Sequence, residues 1–135
     1  MMANSWSVNP ADFANQVEAD LTKRHKDIVE QLVVKICEKS PIDTGRFLNN
    51  HKVSVGSPNY ETYIRYGPTG FEEYNQNGIE SIRSLAKALN EMKPYSLVYI
   101  QNNLEYAEDL ETGTSKKAPK GVYGPSLELV SEKFK

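Results

Sequence analysis

The chain has 135 residues, with sixteen basic and eighteen acidic side chains, a net charge of −2 and a hydrophobic fraction of 39%. That length suits one domain with a core that needs no staples. The slight acidity argues against general nucleic-acid binding, and the single cysteine, Cys37, excludes an internal disulfide.

Residues 1–9 are polar and are expected to form a flexible N-terminus ahead of a single domain spanning 10–135. They show neither the basic start nor the apolar stretch of a signal peptide. No apolar run approaches the roughly 20 residues that span a bilayer. The chain is therefore expected to be made and used in the cytoplasm, with no membrane partner.

Asn9-Pro10 reads as a helix start, with Asn as cap and Pro in the first turn. Phe13, Val17, Leu21, Ile28, Leu32 and Ile36 then hold a helical period for almost thirty residues. Such a helix is about 40–45 Å long, more than a domain of this size needs to cover its core. Its first third is polar apart from one narrow seam. It either packs on a neighbouring subunit or lies across its own sheet. Ser40-Pro41 stops it, because the residue before proline is pushed out of the helical region.

Asp43-Thr44-Gly45 is a turn. From Arg46 the residues alternate as far as Val55, which predicts a half-buried strand over 46–55. Residues 60–66, YETYIRY, have strand composition without clear order, and 67–78 form a loop. Ile79, Ile82, Leu85, Ala86, Leu89 and Met92 predict a second amphipathic helix ended by Pro94. Residues 97–100 read as a central strand. Residues 106–110 make one helical turn, and Gly124-Pro125-Ser126 opens a last short helix carrying Leu127, Val130 and Phe134. The expected fold class is α+β: a long N-terminal helix packed on a small, mostly antiparallel sheet, with a second helix and a short C-terminal helix.

No pattern for chemistry emerges. His25, Cys37 and His51 lack metal-ligand spacing, and no nucleophile elbow or phosphate loop is present. No cofactor, metal or catalytic residue is expected, and the chain is read as a non-enzyme. What remains is a strip of charge. Glu105, Glu108, Asp109 and Glu111 precede Lys116, Lys117 and Lys120, with Tyr106 among them and Arg46 at the earlier turn. Acidic and basic sides of this kind suit a self-associating interface. The loop 112–121 holds three lysines and no large apolar residue. It is expected to order only between subunits. Eight tyrosines, concentrated in strands and loops, fit an interface as well.

Two blocks carry a resemblance. One is SPIDTGRFLNNHKVSVG at 40–56, with Pro41, Asp43, Thr44, Gly45 and Arg46. The other is VYIQNNLEYAEDLETGTSKKAPKGV at 98–122, with Leu104, Tyr106, Ala107, Leu110, Glu111 and Gly113 leading into Ala118, Pro119 and Gly121. Together with the flanking helices they resemble the tail-completion, or neck, family of long-tailed bacteriophages and prophages. Phe47 stands where that family often has leucine, and 57–94 lies outside the resemblance.

The resemblance implies a structural virion protein, a homo-oligomeric ring that is hexameric in the virion and weakly associated or monomeric when free. It would complete the head-proximal end of the tail and help to join tail to head. Its partners would be further copies of itself and the adjacent neck, connector, tail-terminator or tail-tube proteins. No sequence-specific nucleic acid is implied. Alternatives are a tail terminator or head-tail stopper and, from another class, a small carboxylate-dependent hydrolase acting near Tyr106. A nucleic-acid-binding factor using Lys116, Lys117 and Lys120 is a further one.

Overall fold

A computed structural model describes residues 9–113 and 120–134 of the chain. The expected flexible start therefore lies outside the described residues except for Asn9, as do Lys116 and Lys117. The elements run α1 (Pro10–Lys39), β1 (His51–Val55), α2 (Ile79–Glu91), β2 (Val98–Asn102), α3 (Ala107–Glu111) and α4 (Tyr123–Lys133). The class is α+β, as the patterning predicts.

Helix α1 begins and ends where its local signals place it. The Asn9 side chain accepts from the Ala11 N–H at 2.8 Å, and Pro10 occupies the first turn, where its missing N–H costs nothing. At the far end Ser40 is extended, as a residue before proline must be. Its buried stripe is Val29, Val33 and Ile36, and no residue before Val29 is buried. Phe13 is 60% exposed and Leu21 47%, so among the described residues the seam of the first half lies at the surface. Between these regions Arg24 donates to the Phe134 carbonyl at 2.9 Å and lies over the Phe134 ring, which ties the end of α4 to the middle of α1.

The strand expected over 46–55 is five residues long and starts at His51. Ahead of it the chain coils: the Asn49 N–H reaches the Gly45 carbonyl and the Asn50 N–H reaches that of Phe47. Phe47 and Leu48, neighbours in sequence, are both buried, which no strand with one covered face allows. The alternation there belonged to a turn.

Strands β1 and β2 pair antiparallel, with Val53 opposite Ile100. They form a two-stranded sheet, so β2 is an edge strand and not the central one expected. Residues 60–66 form no strand of the sheet, and Tyr66 makes only an isolated antiparallel bridge with Glu72.

Helix α2 covers the outer edge of β1 with serines. Ser81 Oγ accepts from the His51 N–H at 3.0 Å, and Ser84 Oγ accepts from the Val53 N–H at 2.8 Å. This explains why its buried face is Ser81, Leu85 and Ala88, while the expected Ile82 and Ala86 are exposed. Two core clusters result. One joins α1, α2 and β1 through Val33, Val53, Leu85 and Met92. The other gathers Ile36, Phe47, Leu104, Leu110 and Val122 near the start of α4. Ile100 packs against both.

Candidate functional site

The two motif blocks meet in space around Arg46. The turn that presents it is built from short-range bonds: Thr44 Oγ1 accepts from the Arg46 N–H, and Gly45 takes φ +87°. Two buried asparagines then hold the turn to the rest of the domain. Asn49 donates to the Gly45 and Asn75 carbonyls and accepts from the Glu80 N–H. Asn50 donates to the Arg46 and Tyr63 carbonyls and accepts from the Tyr63 N–H. Each side-chain amide uses both its donor and acceptor ends, the condition for burying one.

Arg46 Nη1 donates to Glu105 at 3.2 Å, and its Nε lies 3.6 Å from Glu72, an ion pair longer than a hydrogen bond. Its guanidinium sits 5.8 Å from the centre of the Tyr106 ring. Arg46 pairs with these two carboxylates and not with Glu111 of the second block. Desolvation pulls the guanidinium pKa down, but Glu105 and Glu72 outweigh it and leave it above its ordinary value. The Tyr74 hydroxyl donates to Glu72 at 2.7 Å. Burial first, and then that carboxylate, push its pKa up to about 12. Arg46, Glu72, Tyr74 and Tyr106 line an open cavity of about 610 Å³ together with Asp43 and Asp109.

Glu111 has a different task. Its carboxylate accepts from the backbone N–H groups of Val122, Tyr123 and Gly124, each at 2.8 Å. Helix α4 has no cap from its own preceding residue, so Glu111 supplies one from eleven residues away. Burial alone would raise this carboxylate, but the three N–H donors overcome it and hold it below the usual carboxylate range. Gly121 is required beside it, because a Cβ there would lie 2.5 Å from the Glu111 carbonyl. The E-x-G…G pattern of the second block is therefore a fold-closing device. Glu111→Ala is expected to lower stability by about 2 kcal/mol, given what charge-assisted caps contribute. Thermal melting checks it, and Glu111→Gln should recover part of the loss. Because the folded-state pKa is depressed, this stabilisation is present at neutral pH and is lost as pH falls below the carboxylate range.

The remaining members of the charge strip are surface groups. Glu105, Glu108, Asp109 and Lys120 are exposed, and Tyr106 is half-buried against Phe47. The Glu105 carboxylate is held low, first by its own backbone N–H and then by Arg46.

A buried polar relay had no sequence signal. His51 is fully buried between Ser40 and Tyr123, with Ser40 Oγ 2.8 Å from Nε2 and the Tyr123 hydroxyl 2.8 Å from Nδ1. The Ser40 hydroxyl proton goes to the Ile36 carbonyl at 2.6 Å. Nε2 therefore carries the ring proton and donates, and Nδ1 accepts from Tyr123. The Asn102 amide nitrogen, 3.4 Å from Nδ1, agrees with that tautomer. Burial lowers the His51 pKa to about 3, so the ring stays neutral. With its proton committed and its oxygen buried, Ser40 is a strut and not a nucleophile. The relay joins the end of α1, β1 and α4. His25 lies partly buried on α1, and Cys37 packs beside the first core cluster, its thiol pushed up to about 11 by desolvation. Among the described residues no three His, Cys, Asp or Glu side chains cluster to hold a metal, and no helix is long and apolar enough to cross a membrane.

Set against models of known protein families, characterised proteins and solved structures, the chain has no significant match in any of the three comparisons.

Proposed function

We propose that the chain is a structural, non-enzymatic subunit of a phage neck. In this reading it assembles with further copies of itself as a six-fold ring at the head-proximal end of the tail. There it completes the tail and helps to join it to the head, in contact with connector and tail-terminator or tail-tube proteins. The viral setting, and with it virion localisation, rests on the two sequence blocks at 40–56 and 98–122. The observation that carries self-assembly is the large apolar surface left on two protrusions. These are Phe13 and Leu21 on the overhang of α1, and Tyr60, Tyr66 and Phe71 beside the sheet, the last three 67–78% exposed. Aromatic side chains displayed in this way are the anchors of protein interfaces.

The hydrolase alternative is less well supported. A general acid needs a carboxyl group raised toward neutrality, whereas Glu105 and Glu111 are both held low by hydrogen-bond donors. A tail terminator or head-tail stopper shares the surface arguments and differs in its place in the particle, which a cryo-EM map of the neck would decide.

The charged strip supplies the test. Arg46→Ala removes two ion pairs, to Glu105 and Glu72, both at the surface, and should cost the fold about 1 kcal/mol or less. Replacing Lys116, Lys117 and Lys120 together by glutamate should leave the melting temperature nearly unchanged. Both variants should nevertheless lower the yield of joined, infectious particles by at least about tenfold. Normal particle yield from the triple variant would overturn the role given to the strip.

A further inference from the structure

The sheet has two strands, and the open edge of β2 has a built shape. The ladder parity follows from bonds already described. His51 and Val53 turn their N–H groups away from β2, toward Ser81 and Ser84, while the Gly56 N–H reaches the Leu97 carbonyl. The bonded pairs are therefore Lys52 with Gln101 and Ser54 with Tyr99. It follows that Val98, Ile100 and Asn102 turn their backbone N–H and C=O groups outward, on the edge opposite β1. No hydrogen bond to another described residue engages those backbone groups.

Beside that edge lie two cavities that share Ile100 and Tyr123. One, of about 320 Å³, is lined by Leu32, Val98 and Leu127. The other, of about 350 Å³, is lined by Phe47, Asn102, Ala107 and Glu108. Leu127 of α4 is 58% exposed.

A complementary edge exists elsewhere on the same chain. In the segment 59–64, which turns at 59–61 where the Glu61 N–H reaches Asn59 Oδ1, the odd-numbered residues are bound at home. The Asn59 and Glu61 carbonyls accept from Asn103, and both backbone groups of Tyr63 are held by Asn50. The backbone groups of the even-numbered residues Tyr60, Thr62 and Ile64 have no hydrogen-bond partner among the described residues. Tyr60 is 77% and Ile64 46% exposed.

We infer that residues 60–64 of one copy straighten and add as a third strand to β2 of the next copy, antiparallel, with residue 62 opposite Ile100. Bonded antiparallel pairs place their side chains on the same face. Ile64 then enters the cavity at Val98 and Leu127, and Tyr60 enters the one at Asn102 and Ala107, its hydroxyl near Glu108. Unpaired edges are templates for strand addition, and backbone bonds supply affinity while the side-chain pockets set the register. The two edges are different surfaces, so the contact is heterologous and propagates head to tail, closing where the rotation permits. This rests on the self-assembly part of the proposed function and gives its mode. It does not depend on the viral setting.

Sedimentation velocity over a concentration series, together with cysteine cross-linking, tests it. The wild-type chain should associate as concentration rises. Thr62→Pro removes an N–H that has no partner at home, and should weaken association roughly tenfold or more with the melting temperature unchanged. In a Cys37→Ser background, Thr62→Cys mixed with Ile100→Cys should form a disulfide-linked heterodimer under mild oxidation, and neither variant alone should cross-link. This second measurement stands even where the proline variant folds poorly. If the wild type associates but no mixed disulfide forms and Thr62→Pro associates normally, strand addition is overturned and self-assembly survives. If the wild type stays monomeric at every concentration and no mixed disulfide forms, both fall together.

Discussion

Gly45→Val is expected to lower stability by about 3 kcal/mol, a fall of roughly 10 °C in melting temperature for a domain of this size. Two costs combine. The first is backbone: φ is +87° at this position, where a β-branched residue is disfavoured by about 1–2 kcal/mol. The second is space. A Cβ would lie 2.5 Å from the Asn75 carbonyl oxygen and 3.1 Å from the Tyr74 Cβ, atoms that cannot swing aside as the end of a long side chain can. Moving them disturbs Asn49, which bonds both the Gly45 and the Asn75 carbonyls and caps α2 through Glu80. Gly56→Ala is the internal control. It has the same φ of +87° with nothing within 4 Å, so it bears only the backbone cost. Equal melts for Gly45→Val and Gly56→Ala would show that the close approach at Gly45 contributes nothing.

The second large effect is on acid stability. His51 is neutral in the fold with its pKa lowered to about 3, against an ordinary value of 6.5. Between those values the unfolded chain binds a proton that the folded chain does not. Stability is therefore fully present above about pH 6.5 and falls as pH drops toward 3, with a slope of about 1.4 kcal/mol per pH unit from this residue. The window from pH 6.5 to 5 is diagnostic, because carboxylates contribute little there. His51→Gln should lose about 2 kcal/mol at neutral pH, through imperfect bonding to Ser40 and Tyr123, and should flatten the slope in that window. An NMR titration showing the His51 ring protonated near pH 6 in the native protein would sink this account. So would an unchanged slope in His51→Gln.

The Arg46 turn and the α3–α4 corner show how one pattern can serve fold and surface together. Asp43, Glu105, Glu108 and Lys120 are displayed, while Gly45, Glu111 and Gly121 close the chain beneath them. Substitution at the first group should act on assembly and at the second on melting.

Much of the architecture was legible from local signals. Asn9-Pro10 and Ser40-Pro41 set the ends of α1. The apolar period set α2 and α4 to within a residue or two, and the β-branched run marked β2. These features depend on dihedral preferences and on neighbours within one helical turn, which a linear reading contains. Other features depended on which distant groups would meet. Alternation over 46–55 could not reveal that Asn49 and Asn50 would be buried as amide brackets, because their partners lie up to 31 residues away. The Ser40–His51–Tyr123 relay spans 72 residues between its histidine and its tyrosine. Glu111 read as part of a charged strip until the folded chain placed three unpaired helix N–H groups against it. The width of the sheet was settled in the same way. Composition marked residues 60–66 as strand-like, but the Asn50 and Asn103 side-chain amides bind backbone groups of that segment, and it joins neither strand of the sheet. The sequence alone therefore determined the elements, through local backbone preference. Only the tertiary structure decided which polar groups are satisfied internally and which strand edges stay open, because burial makes a hydrogen-bond partner obligatory and the partner comes from wherever the fold brings one.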